Sequence, residues 1–260
     1  MTSVRLWDRA SQLPAPTNGR PRPEIVALPP SLPTPEQLFT FMRDAELRFD
    51  TLRMRIEERT ATAEGEHLAL IETVLRHPGL ARVTTTEPER GTAANYELWI
   101  SDGETVRTYS ATHHLGTSRP VRRPVAGLDD PDLPGMSTVY QPVTPLPAET
   151  LPETFVHPAG FCQNVLATGR CRVTGETEVA GREAIVLECD HPRGTEVWAD
   201  RPDHRYEVSV DRETGVITRL VELIGEQVTR DALVVTLEPD AVLPPTAFDF
   251  EFPAGTTTIY

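Results

Sequence analysis

The side chains that most often carry chemistry are present in this chain but scattered. His113 and His114 form the adjacent histidine pair. Neighbours on a strand project to opposite faces, so two adjacent imidazoles make a poor chelate, and no metal site is expected there. His157, His191 and His204 stand beside prolines or turn residues and read as loop positions. A hydrolase built on a strand-to-helix elbow would show G-x-S-x-G, and none occurs. Glycine-rich phosphate loops are missing as well. The carboxylate pairs Glu57-Glu58 and Asp129-Asp130 read as solvated surface. Three cysteines fit neither a full disulfide framework nor a CxxC motif. Cys162 and Cys171 bracket the loop FCQNVLATGRC and could pair in an oxidising compartment. Cys189 shares the parity of Ile185 and Leu187 and reads as a buried thiol. The expectation is therefore a non-enzymatic protein with no catalytic residue, no metal and no cofactor.

Bulk properties narrow the class further. The 260 residues carry a net charge of −14, with 38% hydrophobic residues and 25 prolines. So acidic a chain repels phosphate backbones, which argues against nucleic-acid binding. No apolar run approaches the roughly 18 residues of a membrane span. The N-terminus lacks the continuous apolar stretch of a secretory signal, which by itself places the chain in the cytoplasm.

The elements that would position a site are mostly strands. Residues 1–33 are Pro-rich and polar and read as a disordered tail. Thr34-Pro35-Glu36-Gln37 then opens a helix with a capping box and Pro at its first position. Leu38, Phe41, Met42, Ala45, Phe49 and Leu52 follow at three- and four-residue spacing, predicting one amphipathic helix ending near Asp50 or Leu52. Period-2 runs predict strands over 53–60, 67–76, 80–86, 96–101, 104–111, 171–179, 184–190, 195–199, 227–237 and 248–252. The clearest hairpin is Tyr206–Leu223, turning at Asp211 to Gly215 through residues expected to face solvent. Residues from about 119 to 165 break the pattern and read as a Pro-rich lid with short helical turns. The short connections require antiparallel neighbours. The fold class is mainly β (α+β), with residues 34–260 forming one domain.

Four segments, in order, resemble the LolA-like lipoprotein carriers, the lipid-binding lipoproteins and the RseB-type regulators. They are the early helix and strand over 34–60, Leu75-Arg76-His77-Pro78-Gly79-Leu80 and its hairpin, Leu98-Trp99-Ile100-Ser101-Asp102-Gly103 with Tyr109, and Phe248-Asp249-Phe250-Glu251-Phe252-Pro253. Where those carriers have arginine before the hairpin proline, this chain has His77.

The resemblance implies a curved antiparallel half-barrel with the helix and lid packed on its concave face. It implies a ligand, either a lipid or the acyl chain of a lipoprotein, held between helix and sheet. Leu38, Phe41, Met42, Phe49, Leu70, Leu80, Trp99, Tyr109, Phe248 and Phe250 would line that space. An ordinary core would use such residues equally well. The alternative implied by the RseB relatives is a regulatory module that engages a protein partner, a sigma-factor regulator in their case. The resemblance also implies an extracytoplasmic location. A continuous cavity beneath the helix would favour the carrier, and a filled core the partner module.

Overall fold

The computed structural model describes residues 26–88, 95–121, 142–192 and 202–259. Helix α1 spans Pro35–Arg43. Its capping box is made: the Gln37 amide donates to Thr34 Oγ1 at 3.3 Å and the Thr34 amide to Gln37 Oε1 at 2.9 Å. The helix is shorter than the periodicity predicts. It stops at Asp44, and a 3-10 turn over Ala45–Arg48 brings the chain round to the first strand. Ala45, Leu47 and Phe49 are buried all the same. The apolar spacing reports burial, which both helix types satisfy, and so could not place the break.

Among the described residues twelve strands follow. β1 Thr51–Thr62, β2 Gly65–Arg76, β3 Leu80–Thr86, β4 Tyr96–Asp102, β5 Thr105–Ser110 and β6 Leu115–Pro120 form one meander. β7 Arg170–Val179, β8 Arg182–Asp190, β9 His204–Asp211, β10 Ile217–Ile224 and β11 Gln227–Pro239 form a second. The order β12-β6-β5-β4-β3-β2-β1-β11-β10-β9-β8-β7 makes one open curved sheet, with the two meanders joined where β1 pairs antiparallel with β11. Only β12, Thr257–Ile259, runs parallel to its neighbour β6. Two further helices, α2 Leu151–Val156 and α3 Ala159–Asn164, lie between the meanders in sequence. α3 packs on α1, and α2 on β10.

Alternation assigns the faces. Met54, Ile56, Ile71, Leu75, Val83, Val208, Val210 and Val234 look toward the helices and join Leu38, Met42, Phe155 and Leu166 in one core. Leu98, Ile100 and Tyr109 look the other way and form a smaller cluster with Phe250 and Phe252.

Several expectations are corrected here. The run Phe248–Phe252 is not a strand: a 3-10 turn covers Pro245–Phe248 and irregular chain follows. Its rings are used as a cover, with Phe250 and Phe252 at 5.8 and 6.3 Å from the Tyr109 ring. Gly116 makes room for this, since a Cβ there would stand 2.5 Å from the Phe252 ring. β6 and β12 carry no signal of period two, because Leu115-Gly116-Thr117-Ser118-Arg119-Pro120 and Thr257-Thr258-Ile259 lack apolar alternation. The predicted strand over 195–199 lies outside the described residues. His113 and His114 sit in the exposed turn between β5 and β6 and not on a strand. The Cys162–Cys171 pairing is not made: all three thiols are free, and Cys162 contacts Met42 Sδ at 3.8 Å.

The Asp211–Gly215 turn is the sharpest correction, because Asp211, Thr214 and Gly215 are buried and only Glu213 stays exposed. Asp211 and Thr214 are 1% and 2% exposed. Asp211 Oδ1 accepts from both the amide and the hydroxyl of Thr214 at 2.7 Å, while the Arg182 guanidinium grips the carboxylate at 2.7 and 3.1 Å. Gly215, at φ +80°, lies against Phe41. Residues 26–33, expected to belong to the tail, are pinned over this turn. Arg212 donates to the carbonyls of Pro29 and Pro30, both at 2.9 Å, and Arg48 to that of Val26 at 2.6 Å. Residues 1–25 lie outside the described residues.

Candidate functional site

The ten residues expected to line one cavity fall on two sides of the sheet. Leu38, Phe41, Met42 and Phe49 are buried between α1 and the sheet, and Trp99 packs at the margin of that same core. Tyr109 and Phe250 belong to the cluster on the outer face. By alternation Leu70 and Leu80 point outward too, opposite in parity to Ile71 and Ala81. Phe248 lies under the Arg76 guanidinium, 5.6 Å from its ring centre, on that outer side.

Among the described residues, the side chains between the helices and the sheet are closely packed. Phe49, Phe155, Leu38, Met42, Leu52, Met54, Ile56 and Leu75 are among the largest fully buried side chains of the described residues. Arg48 ties the arrangement together at its edge. Its guanidinium stacks 3.9 Å above the Phe41 ring and donates to the carbonyls of Phe41, Thr214 and Val26. Burial brings this arginine down to about 10.

A buried polar network fastens the 142–157 segment beside this core. Thr144 Oγ1 accepts from the Gly79 amide at 2.8 Å and lies 2.7 Å from His77 Nδ1. The His77 ring also stacks on Phe49, with the ring centres 5.4 Å apart. His157 Nε2 lies 2.9 Å from the Thr144 carbonyl, which can only accept, so that nitrogen carries the proton. Its Nδ1 stands 3.4 Å from Glu46 Oε2, which in turn accepts from the Val143 amide at 2.9 Å. Burial pushes His157 down to about 4. At 3.4 Å the Glu46 oxygen lies beyond the usual 2.7–2.9 Å of a charge-assisted bond, so burial decides the shift. His157 is the loop residue that its neighbouring Pro158 suggests, at the C-terminal cap of α2, but its ring is buried. The pairing of His77 with Thr144, 67 positions apart, leaves no signal in a single sequence.

On the outer face the two halves of the sheet differ. Over β3 to β6 the C-terminal phenylalanines cover the strands. Over β7 to β11 there is an open groove of about 410 Å³, lined by Val179, Val186, Leu233 and Val235 together with Glu207, Ser209 and Arg219. Arg219 is held by Asp231 at 2.7 and 3.0 Å. Sequence reasoning missed this surface, because its valines belong to strands whose other parity forms the core.

Among the described residues no group of three His, Cys, Asp or Glu is placed to hold a metal ion, and no helix is long and apolar enough to cross a membrane. No family model matches the chain, and no curated protein matches it. Among solved structures the chain is similar to MucB, at 15% identity over 83% of this chain and 62% of MucB, with a TM-score of 0.47. A second structure, the Pseudomonas aeruginosa MucA/MucB complex, is similar at 16% identity over 84% of this chain and 61% of that one, with a TM-score of 0.47. The Mycobacterium tuberculosis lipoprotein LppX is similar at 8% identity over 78% of this chain and 94% of LppX, with a TM-score of 0.38. A LolA superfamily protein from Nitrosomonas europaea stands at 11% identity, 84% and 98% coverage, and a TM-score of 0.33. The chain spans about three fifths of the length of the MucB chains it matches. The likeness is one of general form, and the description of the fold rests on the strand order and register given above.

Proposed function

We propose that the protein is a non-enzymatic binding module and that its ligand is a protein partner met on the outer face of β7–β11. One observation carries this reading: the space beneath α1 is filled by the protein's own side chains. A small-molecule site is usually largely pre-formed, and a filled core offers none. The outer groove is open, with half-buried valines and leucine at its floor and charged groups at its rim, the pattern of an association surface.

A second reading is favoured by a different observation. The cover on the helix side consists of helices of nine, six and six residues, short elements that could lift from the sheet. Lifting them would open a space lined by Leu38, Phe41, Met42, Phe49 and Trp99 to a lipid or other long apolar chain. Burying such a chain contributes about 0.8 kcal/mol per CH₂, so only a long one would offset the packing that the displaced helices give up.

Two measurements separate the readings. Organic extraction of the purified protein followed by mass spectrometry is expected to yield no acyl lipid, and a fluorescent fatty acid is expected not to bind. A photo-crosslinking residue at Val235 is expected to capture a discrete protein adduct in the native host, while one at Glu64, in the exposed β1–β2 turn, captures none. An acyl lipid in the extract, with no adduct at Val235, would sink the partner reading and establish the carrier.

A further inference from the structure

The edge hairpin β7–β8 sets two cysteines directly opposite one another: Cys171 pairs with Cys189 in the strand register. Directly opposed residues of an antiparallel pair have Cα atoms about 4.5 or 5.5 Å apart, and both values lie inside the range a disulfide spans. The side chains converge as well. Both sulfurs reach the same carbonyl oxygen, that of Leu166, at 3.1 Å from Cys171 and 3.4 Å from Cys189. Gly169 closes over the pair, since a Cβ there would stand 2.6 Å from Cys189 Sγ. Cys171 is half-buried on an edge strand, whereas Cys189 is fully buried.

We propose that Cys171 and Cys189 are a redox-active dithiol that closes into a cross-strand disulfide when the protein meets a peroxide. The Cys171 sulfur, the one a small oxidant reaches, attacks one peroxide oxygen. The O–O bond breaks, and the departing hydroxide takes the thiol proton as water, leaving a sulfenic acid. Cys189 then attacks that sulfur, the S–O bond breaks, and the second hydroxide leaves as water with the Cys189 proton. Two thiols give up two electrons, and one peroxide becomes two waters. The strand register and the shared Leu166 carbonyl hold the two sulfurs side by side for the second step. Closure removes both S–H donors from the Leu166 carbonyl, so it loosens the 3-10 turn Leu166–Thr168 at the end of the helical cover.

The test is peptide mapping of the native full-length protein after hydrogen peroxide treatment, with the remaining thiols alkylated on denaturation. The expected result is a Cys171–Cys189 linkage, loss of two hydrogens in the intact mass, and alkylation of Cys162 alone. Cys162→Ser should retain the linkage and Cys171→Ser should abolish it. A Cys162–Cys171 linkage, a disulfide between two copies, or three thiols still open to alkylation would overturn the proposal.

Discussion

The outer face of the sheet is treated differently in its two halves. Over β3–β6 the chain returns and lays Phe250 and Phe252 across Leu98, Ile100 and Tyr109, with Phe248 beneath Arg76. Over β7–β11 nothing among the described residues returns, and the strands bear cross-strand ion pairs such as Arg219–Asp231 and Arg172–Glu188 around an apolar groove. Both halves present the same backbone geometry, so the difference lies in what the side chains require. Rings as large as Tyr109 call for a cover, whereas paired charges stand in water at little cost. A surface left uncovered in this way, yet floored with valine, is where association costs the fold least.

The comparison can be broken at its strongest point first. Phe155→Ala on the helix side should lower unfolding free energy by about 3–5 kcal/mol in urea denaturation. Phe252→Ala on the covered outer half should lower it by only about 1–2 kcal/mol. Equal losses would mean that the C-terminal cover is as much a core as the helical one.

Arg48→Met should remove about 2–4 kcal/mol, because three carbonyls lose their charged donor while the stem still packs. Hydrogen exchange should then show residues 26–33 exposed, whereas the outer groove keeps its protection.

A pH series tests the buried network next. His157 stands at about 4 when folded against 6.5 when unfolded, so the unfolded chain binds its proton first as pH falls. Its contribution is fully present above pH 6.5 and is lost as pH falls toward 4, a total of about 3 kcal/mol. His157→Gln keeps a donor for the Thr144 carbonyl and should flatten the stability slope in that window. An unchanged slope would show that this imidazole does not titrate differently on folding.

The smallest effect is expected in the groove. Val186→Asp should change stability by under about 0.5 kcal/mol yet abolish partner capture by the crosslinker at Val235, which marks a surface whose role is association.

Much of the sheet was legible because strand periodicity is local. The Gly215 hairpin and the Thr34 capping box rest on a few adjacent residues, and both stand where the sequence puts them. What was not legible depends on partners far along the chain. Asp211 looks solvent-facing until Arg182 and the 26–33 segment are brought over it. His157 lies in a loop as its neighbours suggest, but its burial shows only when Thr144 and Glu46 enclose it. The three C-terminal phenylalanines alternate like a strand, and only the bare Cα of Gly116 beneath Phe252 explains why they serve as a cover. The ten candidate ligand residues share apolar character, which is blind to face. Parity around Ile71, Ala81 and Trp99 was the available signal that could have divided them.

The seam between β1 and β11 has a consequence for how the chain is made. Leu52 pairs with Pro239 and Thr60 with Arg230, so the centre of the sheet joins residues far apart in the sequence. During synthesis β1 can pair with β2 at once, but its other edge must wait until β11 has left the ribosome. Until then Leu52, Met54 and Ile56 lie on a strand with one row of backbone donors and acceptors open, a template for pairing with other chains. The nascent first meander is thus the stage most in need of a chaperone, and chains cut short before Gln227 should be found in aggregates.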